Sequence, residues 1–259
     1  MNINEYVELF SKEIKKYNKE KLTNPTDRIA IQTAVELAYN DTKRTFKGIN
    51  STAKDKAIKD IIDKFETYFT NDPFIDANAF DEKHNELCKT WQQHFQGDLA
   101  KYGKAQKIVN MTFKYLYCCE EKDERFFQFC HMPLDSFILE WFYRECKEQK
   151  IKIVKNKMSA WSSIDYSKEK TENKKYTYNF YLERIRNLIY NIEEFKNLSP
   201  LQAEFKIWQE IRLHLATEAF LFEISYPLNQ EKKSNIRKMS IKEKMKEIAK
   251  KANSYTPFN

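Results

Sequence analysis

A lysine and an aspartate near the middle of the chain are residue types that could carry out covalent chemistry together. Lys107 lies in a largely apolar segment, and Asp135 directly precedes another. A lysine amine becomes nucleophilic where a desolvated, cation-rich setting favours its neutral form, and Lys104 and Lys114 would supply neighbouring cations. A carboxylate at a helix N-terminus is held ionised by unpaired backbone N–H groups and by the helix dipole. The two residues therefore predict a nucleophile and an electrostatic stabiliser of positive charge.

Two helices would have to position this pair. Between residues 105 and 119, apolar residues recur at helical spacing and predict a stripe that faces the core. A second stripe of the same segment carries Lys107, Asn110 and Lys114. Further along, Pro133 blocks the continuation of any preceding helix, and Asp135 or Ser136 can cap the next one. We therefore expect Asp135 at the entrance of a helix and Lys107 on the helix before it.

The order of features between Lys101 and Trp141 resembles that of the helix-hairpin-helix base-excision DNA glycosylases. A turn that contains glycine, Lys101-Tyr-Gly-Lys, leads into the first helix, and Met-Pro-Leu-Asp leads into the next. In that family a lysine attacks the anomeric carbon of the sugar once the base has been flipped out, and an aspartate in a Pro-x-Asp turn assists it. The resemblance implies that Lys107, or alternatively Lys104, is the nucleophile and that Asp135 is the catalytic aspartate.

The resemblance also implies DNA as the partner of a hydrolase in DNA repair or defence, with no cofactor and no metal. The family's hairpin usually has two or more glycines, so that backbone N–H groups can approach a phosphate, whereas only Gly103 is present here. The formal charge of +7 permits a polyanionic partner. Lysines in 147–157 and 232–251 would contact phosphates and make binding fall as salt rises. The residues predicted to contact nucleic acid are Gly103, Lys104, Asn110, Lys114, His131, Lys155 and Lys157.

Length and composition predict an all-α, compact, multi-helix globular fold, as one domain or as two packed helical lobes. The resemblance implies that this fold is helix-hairpin-helix glycosylase-like. Three glycines and six prolines in 259 residues are too few to supply the turns of a many-stranded sheet. Hydrophobic residues at 41% and aromatic residues at 15% argue against a disordered chain. We expect residues 1–230 to form a single domain, with a Lys-rich linker or loop near 147–176. Residues 231–259 are expected to form a basic C-terminal helix or tail.

Local patterns predict further elements. Residues 2–20 and 29–39 both have helical spacing and are expected to form an antiparallel pair. Ser199-Pro-Leu-Gln has the composition of a capping box that opens a helix. The apolar residues of 151–154 allow one short strand or an extended segment, and a terminal amphipathic helix is expected from Ser240.

Other features indicate a cytoplasmic protein without a membrane partner. No run of about 18 apolar residues is present, and the N-terminus lacks the basic-then-apolar layout of a signal peptide. The five cysteines lack CxxC spacing, which favours reduced thiols. His84 and Cys88 lie four residues apart and could ligate a metal from one helix face. Because no metal-binding motif accompanies them, we expect a structural role for both.

Two other functions stay open at this stage. Arg125 and His131 have the Arg-x5-His spacing used by HEPN ribonucleases, in which one helix would carry both residues. Alternatively, the chain is a non-enzymatic helical module that binds nucleic acid or a protein partner, as in a host-defence complex. Its exposed aromatic residues would then be Trp161, Tyr166, Tyr176, Tyr178 and Tyr181. In that case Lys107 belongs to a solvated helix face and Asp135 is an ordinary N-cap.

Overall fold

The chain folds into α-helices. The computed structural model describes residues 2–73, 76–166 and 175–225, with side chains described through residue 218. These residues contain α-helices and short 3-10 turns and no strand, which confirms the all-α prediction. The helices are α1 (Ile3–Glu13), α2 (Lys16–Lys19), α3 (Arg28–Thr42), α4 (Ser51–Thr70), α5 (Ala77–Gln92), α6 (Tyr102–Tyr117), α7 (Ser136–Glu148), α8 (Tyr178–Asn191) and α9 (Pro200–Ser225).

Helix α6 forms the centre of the fold. Helix α3 packs along it, α5 packs on another side, and the 3-10 turn Trp161–Ser163 covers a third. All sixteen residues of α6 are buried as a result. The interpretation of Lys107, Asn110 and Lys114 as a solvated face is therefore wrong, because both stripes of the helix are covered by neighbouring elements.

The remaining helices surround this centre. Helix α4 packs against α3 and α5, while α1 and α7 both pack against α9. Helix α8 contacts α7 and α9. The first helical segment ends at Glu13, and α1 packs chiefly on α9, so the expected antiparallel pairing of residues 2–20 with 29–39 is corrected. The apolar positions of α1, Tyr6 and Phe10, are buried against α9 instead of α3.

Helix starts follow the local capping patterns. The Ser199 N–H donates to Oε1 of Gln202 at 2.8 Å, and the Gln202 N–H donates to Oγ of Ser199 at 3.2 Å. This reciprocal pair is the predicted capping box. Asp135 caps α7 in the same manner, because its side chain accepts the N–H groups of Phe137 and Ile138.

The described segment after α7 is irregular chain with short 3-10 turns, which excludes the strand alternative for residues 151–154. Residues 151–154 form no strand, and the 3-10 turns Lys155–Lys157 and Trp161–Ser163 follow them. The part around Trp161 packs on α6, so it is a covering element of the core. The predicted tail, 231–259, and the helix expected from Ser240 lie outside the described residues.

The aromatic residues expected at the surface are mostly in the core. Trp161, Tyr178 and Tyr181 are buried. Tyr166 and Tyr176 are half-buried, with the Tyr166 ring 4.8 Å from that of Tyr102 and the Tyr176 ring stacked at 4.0 Å on Phe180. The expected surface of exposed aromatic residues is therefore wrong, because these rings pack on one another. In the described part of the chain, no helix has the length and apolar character needed to span a membrane.

Candidate functional site

Lys107 and Asp135 meet in the structure. Helix α6 carries the lysine, and the N-cap of α7 carries the aspartate. Oδ1 of Asp135 accepts the N–H groups of Phe137 and Ile138, both at 3.0 Å, which leaves Oδ2 to accept a hydrogen bond from Lys107 Nζ at 2.9 Å. The lysine side chain is 8% exposed and the aspartate side chain 13% exposed. The cap geometry therefore holds one carboxylate oxygen in place while the other faces the amine.

This pair borders a cleft with a volume of about 670 Å³. That size falls within the range of pockets that bind small molecules or single nucleotides. Aromatic side chains from several parts of the chain line it: Phe10, Tyr115, Phe137, Trp161 and Trp208. The cleft can therefore cover the faces of a planar ring and present a charged pair to it.

A second ion pair, Lys114 with Glu204, lines the same cleft. The lysine Nζ lies 2.7 Å from Glu204 Oε2, and the two side chains are 2% and 0% exposed. Nζ also lies 4.1 Å from the ring centroid of Phe10 and 4.9 Å from that of Trp208. Lys114 is the one partner of this carboxylate, because neither oxygen of Glu204 has any other hydrogen-bond partner in the described part of the chain. Burial raises the pKa of Glu204, and Lys114 opposes that shift.

Asp41 is a third carboxylate in the cleft wall. It accepts a hydrogen bond from the Tyr115 hydroxyl at 2.7 Å. Solvent in the cleft reaches Asp41, yet desolvation by the surrounding protein raises its pKa. The Tyr115 hydrogen bond and the charges of Lys107 and Lys114 oppose that rise. Desolvation and the neighbouring carboxylate also raise the pKa of Tyr115, so its hydroxyl stays a donor.

The predicted hairpin contacts are occupied within the protein. The Gly103 N–H donates to the Ile164 carbonyl at 2.8 Å, and a Cβ at this position would lie 1.9 Å from the Trp161 carbonyl oxygen. The Lys104 ammonium is buried, donates to the Thr45 carbonyl at 2.8 Å and forms an ion pair with Asp98. The structure thus corrects the placement of both residues. Gly103 and Lys104 hold neighbouring segments onto α6, and neither has a group free for a phosphate.

Asn110 also lies inside the protein and not at a binding surface. Its Oδ1 is 2.7 Å from His84 Nε2, and its Nδ2 donates to Gln106, to the Met132 carbonyl and to the Tyr178 hydroxyl. The side chain is fully buried. Its amide therefore joins α5, α6, α8 and the segment before α7.

His131 belongs to the same buried network. Nδ1 lies 2.8 Å from the Tyr178 hydroxyl, and Nε2 lies 2.7 Å from Asp81 Oδ1. Arg186 binds both oxygens of that carboxylate, at 2.6 and 2.7 Å. Burial lowers the pKa of His131 to about 4, although Asp81 opposes the shift. Both ring nitrogens are occupied, so the predicted contact of His131 with nucleic acid is replaced by a structural one.

The two remaining predicted contacts lie in the 3-10 turn after α7. Lys155 is exposed, and its Nζ lies 5.0 Å from the ring centroid of Tyr143. Lys157 is half-buried. Neither lines the cleft that contains Lys107. Their contact with nucleic acid stays a prediction.

The geometry does not assemble the alternative sites. Arg125 lies in the 3-10 turn Glu124–Phe127 and pairs with Asp123, and non-helical chain leads from there to the buried His131. A single helix carrying Arg125 and His131 is therefore absent from the described residues. His84 Nδ1 lies 3.8 Å from Cys88 Sγ, and no cluster of three metal-ligating side chains occurs among residues whose positions are described.

Several cleft residues were not singled out from the sequence, chiefly Glu204, Trp208 and Asp41. One signal was present. Glu204 lies on the apolar face of the predicted helix after the capping box, between Leu201 and Trp208. An acidic residue on a buried face needs a partner or a function, which marks it for attention.

Comparison with known proteins assigns no family to this geometry. No protein-family model matches the sequence, and neither the curated proteins nor the solved structures contain a significant match. The function is therefore argued from the cleft itself.

Proposed function

We propose that this protein binds DNA and removes a base from it, with Lys107 as the nucleophile and Asp135 as its electrostatic partner. One observation carries the proposal: Lys107 Nζ lies 2.9 Å from Asp135 Oδ2 in the wall of a cleft of about 670 Å³ lined by aromatic rings. The two residues belong to different elements of the fold, the middle of α6 and the cap of α7. A helix-hairpin-helix glycosylase-like mechanism requires its lysine and its aspartate to meet in a cleft, as Lys107 and Asp135 do.

The cleft suits a nucleotide flipped out of the duplex. Aromatic side chains stack on bases of any sequence, with about 1–3 kcal/mol for each stacked base. Trp208, which is half-buried, supplies such a ring, and Phe10 and Tyr115 border the cleft beside it. Asp41, which is exposed and lines the cleft, offers acceptors for the polar edge of a base, and the buried Lys114–Glu204 pair keeps the adjoining wall polar. Exclusion of water by the bound nucleotide would strengthen each of these interactions.

The chemistry divides between the two residues of the pair. Lys107, once its ammonium has lost a proton, attacks the anomeric carbon, and a C–N bond forms as the bond to the base breaks. The electron pair of the broken bond leaves with the base, which takes up a proton. Asp135 stabilises the positive charge that develops on the sugar, because its carboxylate is fixed by two backbone N–H groups before the reaction begins.

Borohydride trapping on a duplex that contains an abasic site tests this proposal without knowledge of the base. The aldehyde of the abasic site forms a Schiff base with the lysine, and reduction makes the link permanent. We expect a covalent adduct with the wild-type protein and none with Lys107→Gln. Lys104→Gln is the matched control, since Lys104 lies on the same helix, is also buried and does not line the cleft. Thermal unfolding checks that each variant is folded.

Each other outcome has a definite meaning. An adduct that persists in Lys107→Gln and disappears in Lys104→Gln would transfer the role to Lys104. A wild-type protein that binds duplex DNA and forms no adduct would exclude the chemistry and leave a nucleic-acid-binding module. If the wild-type protein fails to bind duplex DNA at low ionic strength, the proposal fails at its first step.

A further inference from the structure

Most charges inside the cleft are neutralised by the protein. Lys107 pairs with Asp135, and Lys114 pairs with Glu204. At the edge of the cleft, Glu13 pairs with Arg212. These contacts leave no excess of positive charge in the interior for a highly charged ligand. An anion would have to be held elsewhere.

Three cations at the mouth of the cleft have no such partner. Lys15 directly precedes α2, and Lys43 and Arg44 lie in the 3-10 turn that follows α3. All three line the cleft, and all three are exposed. Among the residues that the structure describes, none forms an ion pair or hydrogen bond with their side chains. Two separate segments therefore bring unpaired positive charge to the entrance of the cleft.

Gly103 and Lys104, which were predicted to form a hairpin and lie in the first turn of α6, offer no free group to an anion. The N–H of Gly103 is bonded to Ile164, and the ammonium of Lys104 is bonded to Thr45 and Asp98. Gly97, the other glycine near this turn, has a left-handed backbone with a φ of 56° and lies outside the cleft lining. A phosphate next to a nucleotide in the cleft would therefore meet the cations of the mouth and not the hairpin.

We propose that Lys15, Lys43 and Arg44 bind the DNA phosphates on either side of the nucleotide that enters the cleft. The inference rests on the proposed function and adds to it the surface that receives the backbone. Arg44 offers a planar, bidentate donor set for a phosphate, and the two lysines act as point charges. The sugar whose anomeric carbon reaches Lys107 is linked directly to those phosphates. When the nucleotide is in the cleft, the phosphates therefore lie at its mouth, beside these three cations.

The test compares two triple variants with the same change in charge. The first is Lys15→Gln/Lys43→Gln/Arg44→Gln. The control replaces three exposed lysines of α4, Lys56, Lys59 and Lys64, which do not line this cleft. Binding to a duplex with a tetrahydrofuran abasic analogue is measured over a range of salt concentrations. A single change, Arg44→Gln, serves as a milder variant.

We expect the variant at the mouth to lose at least about tenfold in affinity at low salt. The slope of log affinity against log salt is negative, and its magnitude should decrease by about 2.7 in this variant, since each of the three phosphate contacts contributes about 0.9. The α4 control should keep the wild-type slope, and Arg44→Gln should lower its magnitude by about 0.9. An equal loss of affinity in both triple variants would overturn the inference, and so would an unchanged slope in the variant at the mouth. If the wild-type protein still forms the borohydride adduct, the proposed function stands in either case. Absence of wild-type binding would overturn both.

Discussion

Two clusters of polar and charged side chains meet at α6, and they differ in how completely their hydrogen bonds are satisfied. The cleft cluster consists of the ion pairs Lys107–Asp135 and Lys114–Glu204. The His131 cluster consists of Asp81, His84, Asn110, His131, Tyr178 and Arg186. In the His131 cluster, the polar side chains bond to one another across α5, α6 and α8. In the cleft cluster, the carboxylate of Glu204 contacts Lys114 and has no second hydrogen-bond partner among the described residues.

The space beside the two clusters differs as well. The cavity next to His131 and Tyr178 has a volume of about 10 Å³, room for one water at most. The cleft beside Lys107 has about 670 Å³. Asp81 and Arg186 also border a groove of about 810 Å³, but they face it already bound to each other. Burial of charge is therefore common to both clusters, whereas unused hydrogen-bonding capacity beside an open cleft belongs to one.

This difference assigns separate roles to the two clusters. A closed, saturated network holds helices together, because removal of any member leaves another buried group without a partner. Partly satisfied charges beside a cleft cost stability and are expected where a ligand completes their interactions. Variants of the two clusters should consequently differ in whether stability and DNA binding change together.

The largest effect on stability is expected at the Lys114–Glu204 pair. Lys114→Met leaves Glu204 buried without a counter-charge and should lower the free energy of unfolding by about 3–5 kcal/mol. The double variant Lys114→Met/Glu204→Leu should be destabilised less than Lys114→Met alone, because it removes the desolvation cost of both charges. Urea unfolding of the wild-type protein and both variants measures this.

The double variant also separates stability from function. We expect it to be folded and to bind abasic DNA more weakly than the wild-type protein, since the polar wall of the cleft would have become apolar. A double variant at least as unstable as Lys114→Met alone would place this pair with the His131 cluster, as a structural contact.

The local part of this architecture could be predicted from sequence. Pro133 before Asp135 determines where α7 begins and makes Asp135 its cap, and Ser199 with Gln202 begins α9, because these contacts lie within one turn of helix. The helix with Lys107 was likewise visible from its apolar spacing. Its meeting with Asp135 was expected from the resemblance, since spacing alone does not say which helices adjoin.

The long-range part could not be predicted from sequence. Helical spacing predicts one buried face, whereas all sixteen residues of α6 are buried, beneath α3, α5 and the turn at Trp161 and along the wall of the cleft. Asn110 and His131 therefore bond inside the protein, although their types suit a binding surface. Asp41 and Glu204 reach the cleft from α3 and α9, which lie far from α6 along the chain on either side of it. No local pattern in the sequence indicates that these two carboxylates approach the lysines of α6.

Acid should weaken the His131 cluster, with an effect of about 3 kcal/mol. Burial lowers the pKa of His131 to about 4 in the folded protein, below its ordinary value of 6.5, and burial lowers the pKa of His84 as well. The unfolded chain therefore takes up these protons first as the pH falls. The stability is complete above about pH 6.5 and is lost as the pH falls from there towards 4. For His131 alone the loss approaches about 1.4 kcal/mol per pH unit.

Urea unfolding between about pH 7 and pH 4.5 measures this loss. Below about pH 4.5, protonation of Asp81 in the unfolded chain adds to this loss of stability. Burial raises the pKa of this carboxyl, but the hydrogen bonds from His131 and Arg186 outweigh burial and hold the pKa below its usual range. His131→Gln should be less stable at neutral pH and should show a flatter decline with acid, with His84 responsible for what remains. A wild-type free energy of unfolding that is constant from about pH 6.5 to 5 would contradict the conclusion that the two histidines of this cluster are buried in their neutral form.

The smallest effect separates the two roles of Asp135 within the cleft cluster. Asp135→Asn keeps an oxygen that can accept the N–H groups of Phe137 and Ile138, whereas Asp135→Ala loses the cap of α7. The alanine variant should therefore be less stable than the asparagine variant by about 1 kcal/mol in thermal or urea unfolding. Both lack the carboxylate that would stabilise the positively charged Schiff base on Lys107, so both should form less borohydride adduct than the wild-type protein. If Asp135→Asn traps abasic DNA at the wild-type rate, the carboxylate acts only as a cap, and Asp135 is as structural as the residues around His131.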